Sequence, residues 1–189
     1  MRVRTRHLAR SADASQISMT LLRSFRAHFA LIAFTCACLL AYAYYVEIKL
    51  FIDPCPLCIL QRVAFLALGV IALLAALHGP RGAGRKVYGA LTLAAAAVGA
   101  GIALQHVRLQ NLPPDQVPAC GAGLKYMIDT LPLADALRKA LTGSGECAKV
   151  DWTFLGLSMP TWTLICFVFL GVWAIYAAFR PAAAGRYSS

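Results

Sequence analysis

The chain carries four apolar stretches that are each long enough to cross a lipid bilayer, and this feature constrains its fold more than any other. The stretches cover residues 29–46, 57–77, 87–104 and 161–179. Each is about 18 to 21 residues long, close to the ~20 residues that a helix needs to span the hydrocarbon core. Because backbone polar groups must be satisfied internally in lipid, these stretches are expected to be helical. They predict an all-α integral membrane protein with a four-helix transmembrane bundle.

The composition agrees with extensive contact with lipid. Of the 189 residues, 60% are hydrophobic and only 14% are charged, whereas soluble domains are about half apolar and a quarter charged. The net charge of +10 does not indicate nucleic-acid binding, because the basic residues form no shared face and no known motif. Many of them instead gather before the first apolar stretch, in the loop at 78–86 and in the C-terminal tail.

This distribution of basic residues predicts the orientation of the chain, since cytoplasmic segments of membrane proteins are enriched in lysine and arginine. We expect a basic cytoplasmic arm over residues 1–27, a membrane domain over 28–180 and a cytoplasmic tail over 181–189. The loops at 47–56 and 105–160 then lie on the outer side. The longer of these loops has five basic and five acidic residues, and therefore no positive excess.

A cleaved signal peptide is the alternative interpretation of the N-terminal region. Arginines precede an apolar run that leads into Ala41-Tyr42-Ala43, which is similar to a cleavage site. The apolar run continues past that point to Val46, which favours a membrane-spanning helix. Cleavage would remove one span and leave the rest of the topology unchanged.

The seven cysteines fall into two groups on this topology. Cys36, Cys38 and Cys166 lie within apolar stretches, where a cysteine usually acts as a small hydrophobic residue. The other four lie on the outer side, where disulfides persist; they are Cys55, Cys58, Cys120 and Cys147.

The segment Cys55-Pro56-Leu57-Cys58 indicates redox chemistry. Two cysteines at this spacing can close a small strained disulfide, and strain makes a disulfide more oxidising. The segment also opens the second apolar stretch, and a helix N-terminus lowers the pKa of a thiol. A structural disulfide and half of a zinc site are the alternatives. No metal site is expected, because zinc would need two further ligands and no second close pair of cysteines lies outside the apolar stretches.

Cys120 and Cys147 form a second candidate pair within the long outer loop. A structural disulfide that closes this loop is the alternative. Cys120 follows a proline-rich segment, and Cys147 follows Gly143-Ser144-Gly145. Both thiols are therefore expected on mobile loop segments, which favours exchange with a partner over rigid cross-linking.

Residues 132–141 of the long outer loop are predicted to form a short amphipathic helix. Leu133, Leu137 and Leu141 share one face of this helix, and Asp135 can pair with Lys139 on another. The helix could pack on the loop's own core. We expect it to lie on the membrane surface, because the loop is too short to form much of a core.

Arg62 lies near the outer end of the second apolar stretch, one helical turn beyond Cys58. An arginine at this depth costs a few kcal/mol unless it is paired or extends to the membrane surface. Extension to the surface is the simple explanation. The functional hypothesis is that the guanidinium contacts a polar head group such as a quinone carbonyl oxygen.

These motifs together resemble the DsbB family of quinone-linked membrane proteins that form disulfide bonds. The resemblance covers about residues 28–180, and the basic arm has no clear counterpart in it. The segments that carry it are Pro54–Arg62, Gln105-His106, Cys120-Gly121, Gly145–Cys147, Trp152–Gly156 and Met159–Trp162.

The resemblance implies an electron relay in a bacterial inner membrane, with the long loop in the periplasm. A reduced DsbA-like thioredoxin-fold partner would attack a Cys120–Cys147 disulfide and form a mixed disulfide at Cys120. Electrons would then pass to a Cys55–Cys58 disulfide, and from Cys58 to a membrane quinone, ubiquinone or menaquinone. It also implies that Arg62 and, by a weaker match, His106 contact the quinone.

Two other functions remain open on the sequence. One is a membrane reductase of the vitamin K epoxide reductase type, which would also combine four helices with a CxxC motif. In that type we expect the motif in the last part of the bundle, whereas here it opens the second span. The other is a non-enzymatic membrane protein with two structural disulfides on its outer side.

Overall fold

The computed structural model describes residues 24–51, 53–121, 124–150 and 152–180. Most of the predicted basic arm and the predicted tail at 181–189 lie outside these residues. Within the described part, the fold is built almost entirely from helices, with one small hairpin.

The membrane domain consists of four long helices, α1 (Phe25–Leu50), α2 (Pro56–His78), α3 (Ala83–Gln110) and α7 (Met159–Phe179). All four are long and apolar enough to cross a membrane. This confirms the predicted four-helix transmembrane fold. Helices α1 and α3 extend a turn or more beyond the predicted stretches at both ends, because polar residues can continue a helix outside the hydrocarbon region.

Residues at the helix ends explain where α1 and α2 begin and where α2 stops. The Ser24 side chain caps α1 and accepts a hydrogen bond from the Ala27 N–H at 3.2 Å. Helix α2 begins with Pro56, whose missing N–H costs nothing in the first turn. It ends at Gly79, which has a φ of +59°, a left-handed conformation that glycine adopts without a steric penalty.

The bundle is held together by close contacts between small and aromatic residues. Helix α7 packs mainly on α3, α2 lies between α1 and α3, and α1 and α7 touch only lightly. The rings of Phe65 and Phe167 stack with centroids 3.9 Å apart. A Cβ at Gly99 would lie 2.3 Å from the Phe167 ring, and one at Gly89 would lie 2.5 Å from Ala178. These two glycines allow α3 to approach α7, as is typical of membrane helices.

Large apolar side chains point away from the bundle. Phe34, Leu66, Val98 and Val172 are each more than half exposed. Monomeric soluble proteins rarely expose continuous apolar surface on this scale. Contact with lipid tails explains these side chains.

The described residues of the long segment between α3 and α7 form three short helices and a hairpin. The helices are α4 (Leu124–Thr130), α5 (Leu133–Thr142) and α6 (Gly145–Ala148), and the strands are β1 (Thr153–Phe154) and β2 (Leu157–Ser158). The antiparallel strands pair Thr153 with Ser158 and Phe154 with Leu157. Leu155 and Gly156 connect the strands with φ values of +51° and +78°, the combination that a tight two-residue hairpin turn requires.

Helix α5 confirms the predicted amphipathic helix, although its buried face is not the leucine face. Ala136 and Ala140 are fully buried. Leu133, Leu137 and Leu141 are 72%, 45% and 41% exposed. The small alanines turn towards the protein and leave the leucines outside, so the loop's own core does not cover them. The location of α5 on the membrane surface stays a prediction.

Basic side chains close the end of the bundle opposite the long loop. Arg26 donates from Nε to the Ala76 carbonyl at 2.8 Å, and Arg85 donates to the Ala177 carbonyl at 3.0 Å. These carbonyls lie in the last turns of α2 and α7. Cations stabilise such helix C-termini, because the last carbonyls lack partners within the helix.

Candidate functional site

Cys55 and Cys58 lie in the first turn of α2, at the end of the bundle that carries the long loop. Cys55 is the N-cap residue, and its sulfur accepts a hydrogen bond from the Cys58 N–H at 3.4 Å. The two sulfur atoms are 3.0 Å apart. Pro56 fixes the backbone of the first turn between them. The structure therefore confirms that this motif opens the second long helix.

Cys147 lies in α6 and is fully buried against this same helix end. It shares a hydrogen bond with Cys55, and the Ser144 hydroxyl is 4.0 Å from its sulfur. Cys55, Leu57, Leu109 and Cys147 form a small buried cluster of their own, separate from the core of the bundle. The fold thus joins the middle of the long loop to the CxxC motif.

The hydrogen bond between Cys147 and Cys55 affects the two thiols in opposite directions. It lowers the pKa of the Cys147 thiol below the ordinary value, and backbone N–H groups of Ser144 and Leu57 act in the same direction. The pKa of Cys55 is raised, first by hydrogen bonding to Cys147 and then by hydrogen bonding to Cys58. Hydrogen bonds donated to a thiolate stabilise it, whereas a thiol that acts as the donor retains its proton. Cys147 is therefore the better nucleophile of this pair.

Cys120 lies next to the Cys147 segment but on its outer side, where it is exposed. The Gly145 N–H donates to the Ala119 carbonyl at 3.3 Å. A Cβ at Gly145 would lie 2.6 Å from the Pro118 carbonyl oxygen and 3.4 Å from the Cys120 sulfur. Glycine at 145 thus lets the two cysteine segments run side by side, with Cys120 facing outwards and Cys147 facing Cys55.

His106 reaches the cysteines from α3 and is almost fully buried. Its Nε2 is 3.8 Å from the Cys55 sulfur, and the Cys147 backbone carbonyl accepts a hydrogen bond from the ring. Its Nδ1 is 3.0 Å from the Gln61 side-chain amide. Thr163 of α7 in turn donates to the Gln61 Oε1 at 2.5 Å. A chain of polar groups therefore runs from α7 through α2 and α3 to Cys55.

Arg62 forms an ion pair with Glu47 of α1. The Tyr44 ring lies 4.8 Å from the guanidinium carbon, in a cation–π arrangement. The Arg62 side chain is 17% exposed. The pairing explains how an arginine is accommodated at this depth, and extension to the membrane surface is not required. One nitrogen of the guanidinium contacts Glu47, and the group has further donors.

The structure brings most of the sequence-predicted site residues to one end of the bundle. Cys55, Cys58, Cys147 and His106 form one cluster, Arg62 lies one turn further along α2, and Cys120 lies at the surface. Glu47, Gln61 and Thr163 are site residues that were not predicted from the sequence. Their contacts join different helices, and spacing along the chain does not predict such pairs. The signal within the sequence was the polar character of Glu47 and Gln61 near the ends of apolar stretches.

Comparison with known proteins places the chain in a family. Residues 25–177 match the family model described as Disulfide bond formation protein DsbB. Disulfide bond formation protein B of Xanthomonas axonopodis pv. citri is 54% identical over 158 residues, which cover 83% of this chain and 92% of the relative. The protein of the same name from Nitrosococcus oceani is 52% identical over 143 residues, covering 76% and 85%.

The family match and the geometry agree. The matched region contains all four long helices almost completely, together with Cys55, Cys58, Cys120 and Cys147. With four candidate membrane spans and bacterial relatives over most of its length, the chain is a multi-pass bacterial membrane protein. It belongs to the DsbB family of disulfide bond formation proteins.

Proposed function

We propose that this protein re-oxidises a DsbA-like periplasmic thioredoxin-fold protein and passes the electrons to a membrane quinone. It would thus be a disulfide oxidoreductase that joins a dithiol protein to the quinone pool. One observation carries the proposal: Cys147 is buried against Cys55, while Cys120 on the adjoining segment is exposed. This arrangement provides one thiol for an external partner and one for internal transfer.

Electrons enter at Cys120 in this proposal. A thiolate of the reduced partner attacks the Cys120 sulfur of a Cys120–Cys147 disulfide, which breaks that bond and releases Cys147 as a thiolate. The exposure of Cys120 supports attack at this sulfur. Cys147 suits the leaving position because its pKa is lowered, and a thiol of low pKa leaves faster. The second thiol of the partner then completes the partner's own disulfide and releases Cys120.

Internal transfer follows from the contact between Cys147 and Cys55. The Cys147 thiolate attacks the Cys55 sulfur of a Cys55–Cys58 disulfide, forms a Cys55–Cys147 bond and releases the Cys58 thiolate. Cys120 then attacks Cys147, which restores the Cys120–Cys147 disulfide and leaves Cys55 and Cys58 reduced. Each step exchanges one disulfide for another, so two electrons and two protons move from the partner to the CxxC pair.

The residues around Cys58 fit a quinone as the final acceptor, which would take up these two electrons and two protons. Arg62 lies one turn from Cys58, and its partial exposure and remaining donors suit a carbonyl oxygen of a quinone. His106 fits less directly, because it is buried and its ring contacts Gln61, Cys55 and the Cys147 carbonyl. The assignment of His106 as a quinone contact stays a prediction. The contacts of the ring with Cys55 and with the Cys147 carbonyl instead favour an interaction with the cysteines.

The orientation belongs to the same proposal. The cysteine cluster lies at one end of the bundle, and Arg26, Arg85 and Arg180 lie at the other. Because basic residues are retained on the cytoplasmic side, the cysteines would face the periplasm and both termini the cytoplasm of a bacterial inner membrane. Disulfide exchange with a secreted partner requires this orientation.

The test is a coupled assay with the purified protein in detergent, a reduced thioredoxin-fold partner and a soluble quinone. We expect one quinone to be reduced for each partner disulfide formed. Cys120→Ser and Cys58→Ser should each abolish the coupling, and Cys166→Ser, in the middle of α7, should retain it. Oxidation of the partner at the normal rate by the Cys58→Ser variant would contradict the proposal.

A further inference from the structure

Metal-binding atoms of three side chains lie together at the end of the bundle that carries the CxxC motif. The sulfurs of Cys55 and Cys58 and a ring nitrogen of His106 are all within 4.8 Å of one another. Cys147 lies next to them, because it is fully buried in the same small cluster as Cys55, against which Cys58 also packs. The spacing of the cysteines does not reveal this group, because His106 lies 51 positions from Cys55 along the chain.

We propose that the dithiol form of this protein, in which both cysteine pairs are reduced, binds one thiophilic divalent cation of the Zn²⁺ type at this cluster. Three thiolates and one imidazole are a common ligand set for tetrahedral zinc. The proposal depends on the positions of these side chains and not on the reaction with quinone. The ligand atoms are the sulfurs of Cys55, Cys58 and Cys147 and Nε2 of His106.

The distances are close to those that a tetrahedral ion requires. With Zn–S near 2.3 Å and Zn–N near 2.0–2.1 Å, two sulfur ligands lie about 3.8 Å apart, and a sulfur and a nitrogen about 3.6 Å apart. The Cys55 sulfur and the His106 Nε2 are already 3.8 Å apart. The sulfurs of Cys55 and Cys58 are 3.0 Å apart and must separate by about 0.8 Å. Rotation of the Cys58 side chain would supply this change. The Cys147 sulfur, which is not among the three atoms within 4.8 Å of one another, would approach them by rotation of its own side chain.

The hydrogen bonds around His106 can stabilise the tautomer that binds a metal through Nε2. Metal binding through Nε2 requires the proton on Nδ1 and an acceptor facing it. Exchange of the oxygen and nitrogen of the Gln61 side-chain amide places Oε1 next to Nδ1, while Gln61 Nε2 then donates to Thr163. The Thr163 hydroxyl can still donate, because the Pro160 carbonyl is 2.9 Å away. Metal binding at Nε2 would also replace the hydrogen bond from the ring to the Cys147 carbonyl. With the Gln61 amide exchanged, the network supports the metal-binding tautomer.

The redox state of the cysteines controls this site. Zinc ligands are thiolates, so an oxidised Cys55–Cys58 pair cannot provide them. Binding to the dithiol form releases thiol protons and transfers no electrons. Three thiolates with one divalent cation leave a single negative charge, and the guanidinium of Arg62 lies one turn along α2 to offset it. The cation is thus expected to bind the reduced protein and to be excluded from the oxidised protein.

The experiment uses Co²⁺ as a spectroscopic probe with the full-length protein in detergent. Reduced protein should bind one Co²⁺ per chain, with visible bands of a tetrahedral ion and ultraviolet charge-transfer bands from thiolates. Zn²⁺ should displace it. Protein with both disulfides formed should show neither set of bands. An octahedral spectrum without thiolate bands in the reduced protein would overturn the proposal.

Matched variants separate the four-ligand site from ordinary binding to a CxxC motif. Cys147→Ser and His106→Ala should each weaken Co²⁺ binding at least tenfold, and Gln61→Ala, which removes the partner of the histidine, should weaken it about 10- to 100-fold. Cys120→Ser removes a nearby cysteine outside the cluster and should retain the affinity.

Equal affinities for the Cys147→Ser, His106→Ala and Cys120→Ser variants would overturn the proposal. Thermal melts of the metal-free variants identify any that fail to fold, and the oxidised wild-type protein tests the site independently of them.

Discussion

Arg62 of α2 and Glu47 of α1 form an ion pair close to the CxxC motif, with side chains that are 17% and 30% exposed. The pair has two consequences. It reduces the cost of an arginine near the outer end of a membrane helix, and it fixes a guanidinium one turn from Cys58. The guanidinium is therefore held near the CxxC motif, where it can act on the reaction at Cys58.

We expect Arg62→Ala to raise the apparent KM for quinone and to slow turnover about 10²-fold, because a preorganised donor to the developing negative charge is lost. Glu47→Gln is the matched control, since it removes the ion pair and retains both the arginine and an acceptor. Its quinone kinetics should change much less. Steady-state assays at varied quinone, together with a thermal melt, measure both effects. If Arg62→Ala melts early and keeps normal quinone kinetics, the arginine is only an anchor.

The exposed Cys120 and the buried Cys147 predict different behaviour in a trapping experiment. Cys147→Ser leaves Cys120 as a thiol without its loop partner. A partner whose single active cysteine is activated as a mixed disulfide with a small thiol should therefore exchange with Cys120, release the small thiol and accumulate as a mixed disulfide at Cys120. Cys55→Ser should leave the loop disulfide reducible by the partner but unable to be re-oxidised. Non-reducing electrophoresis with mass mapping of the linked peptides identifies the adduct. An adduct that forms through Cys55 would reverse the order of transfer.

The sequence predicted the four membrane helices because their apolar stretches are long and uninterrupted, so that only their ends differ from the structure. It also predicted that Cys55 and Cys58 open the second of these helices. It could not predict that Cys147 contacts Cys55, because that contact depends on how a long loop folds back over the bundle. For the same reason, the sequence did not predict that Glu47 pairs with Arg62 or that Gln61 contacts His106. Each pair joins two helices whose relative rotation depends on packing.

The pKa of Cys147 gives a prediction about pH. Hydrogen bonding to Cys55 lowers the pKa of this thiol, so the thiolate persists to lower pH than in an ordinary cysteine. The pH profile for alkylation of Cys147 in the reduced protein should therefore be shifted to lower pH. Cys55→Ala removes the side-chain donor and should shift the profile back towards higher pH, whereas Cys55→Ser keeps an O–H donor and should shift it less. Quantitative mass spectrometry of the Cys147 peptide measures the profile, and identical profiles in all three proteins would contradict the assigned cause.

The proposed orientation predicts which side of the membrane each loop faces. A cysteine in place of Gln116, on the exposed segment before Cys120, should react with an impermeant maleimide in intact spheroplasts. A cysteine in place of Ala83, at the start of α3, should react only after the membrane is permeabilised. Ala83 suits this purpose better than the adjoining Gly82, whose φ of +56° disfavours any side chain. Labelling of the Ala83 variant from outside would reverse the topology.

Gly99 and Gly101 allow a matched test of helix packing within α3. A Cβ at Gly99 would lie 2.3 Å from the Phe167 ring, whereas a Cβ at Gly101 would meet nothing within 4 Å. Gly99→Ala should therefore force α3 and α7 apart and destabilise the bundle by about 1–3 kcal/mol.

Gly101→Ala should be neutral or stabilising by up to about 1 kcal/mol, because alanine favours a helix interior over glycine. Both variants make the same chemical change on one helix, two positions apart, so their difference isolates the contact with Phe167. Thermal melts in one detergent measure it. The double variant Gly99→Ala with Phe167→Leu should recover part of the lost stability, because the smaller side chain leaves room for the added methyl group. If Gly99→Ala melts at the same temperature as Gly101→Ala, the close approach of α3 and α7 at this position is wrong.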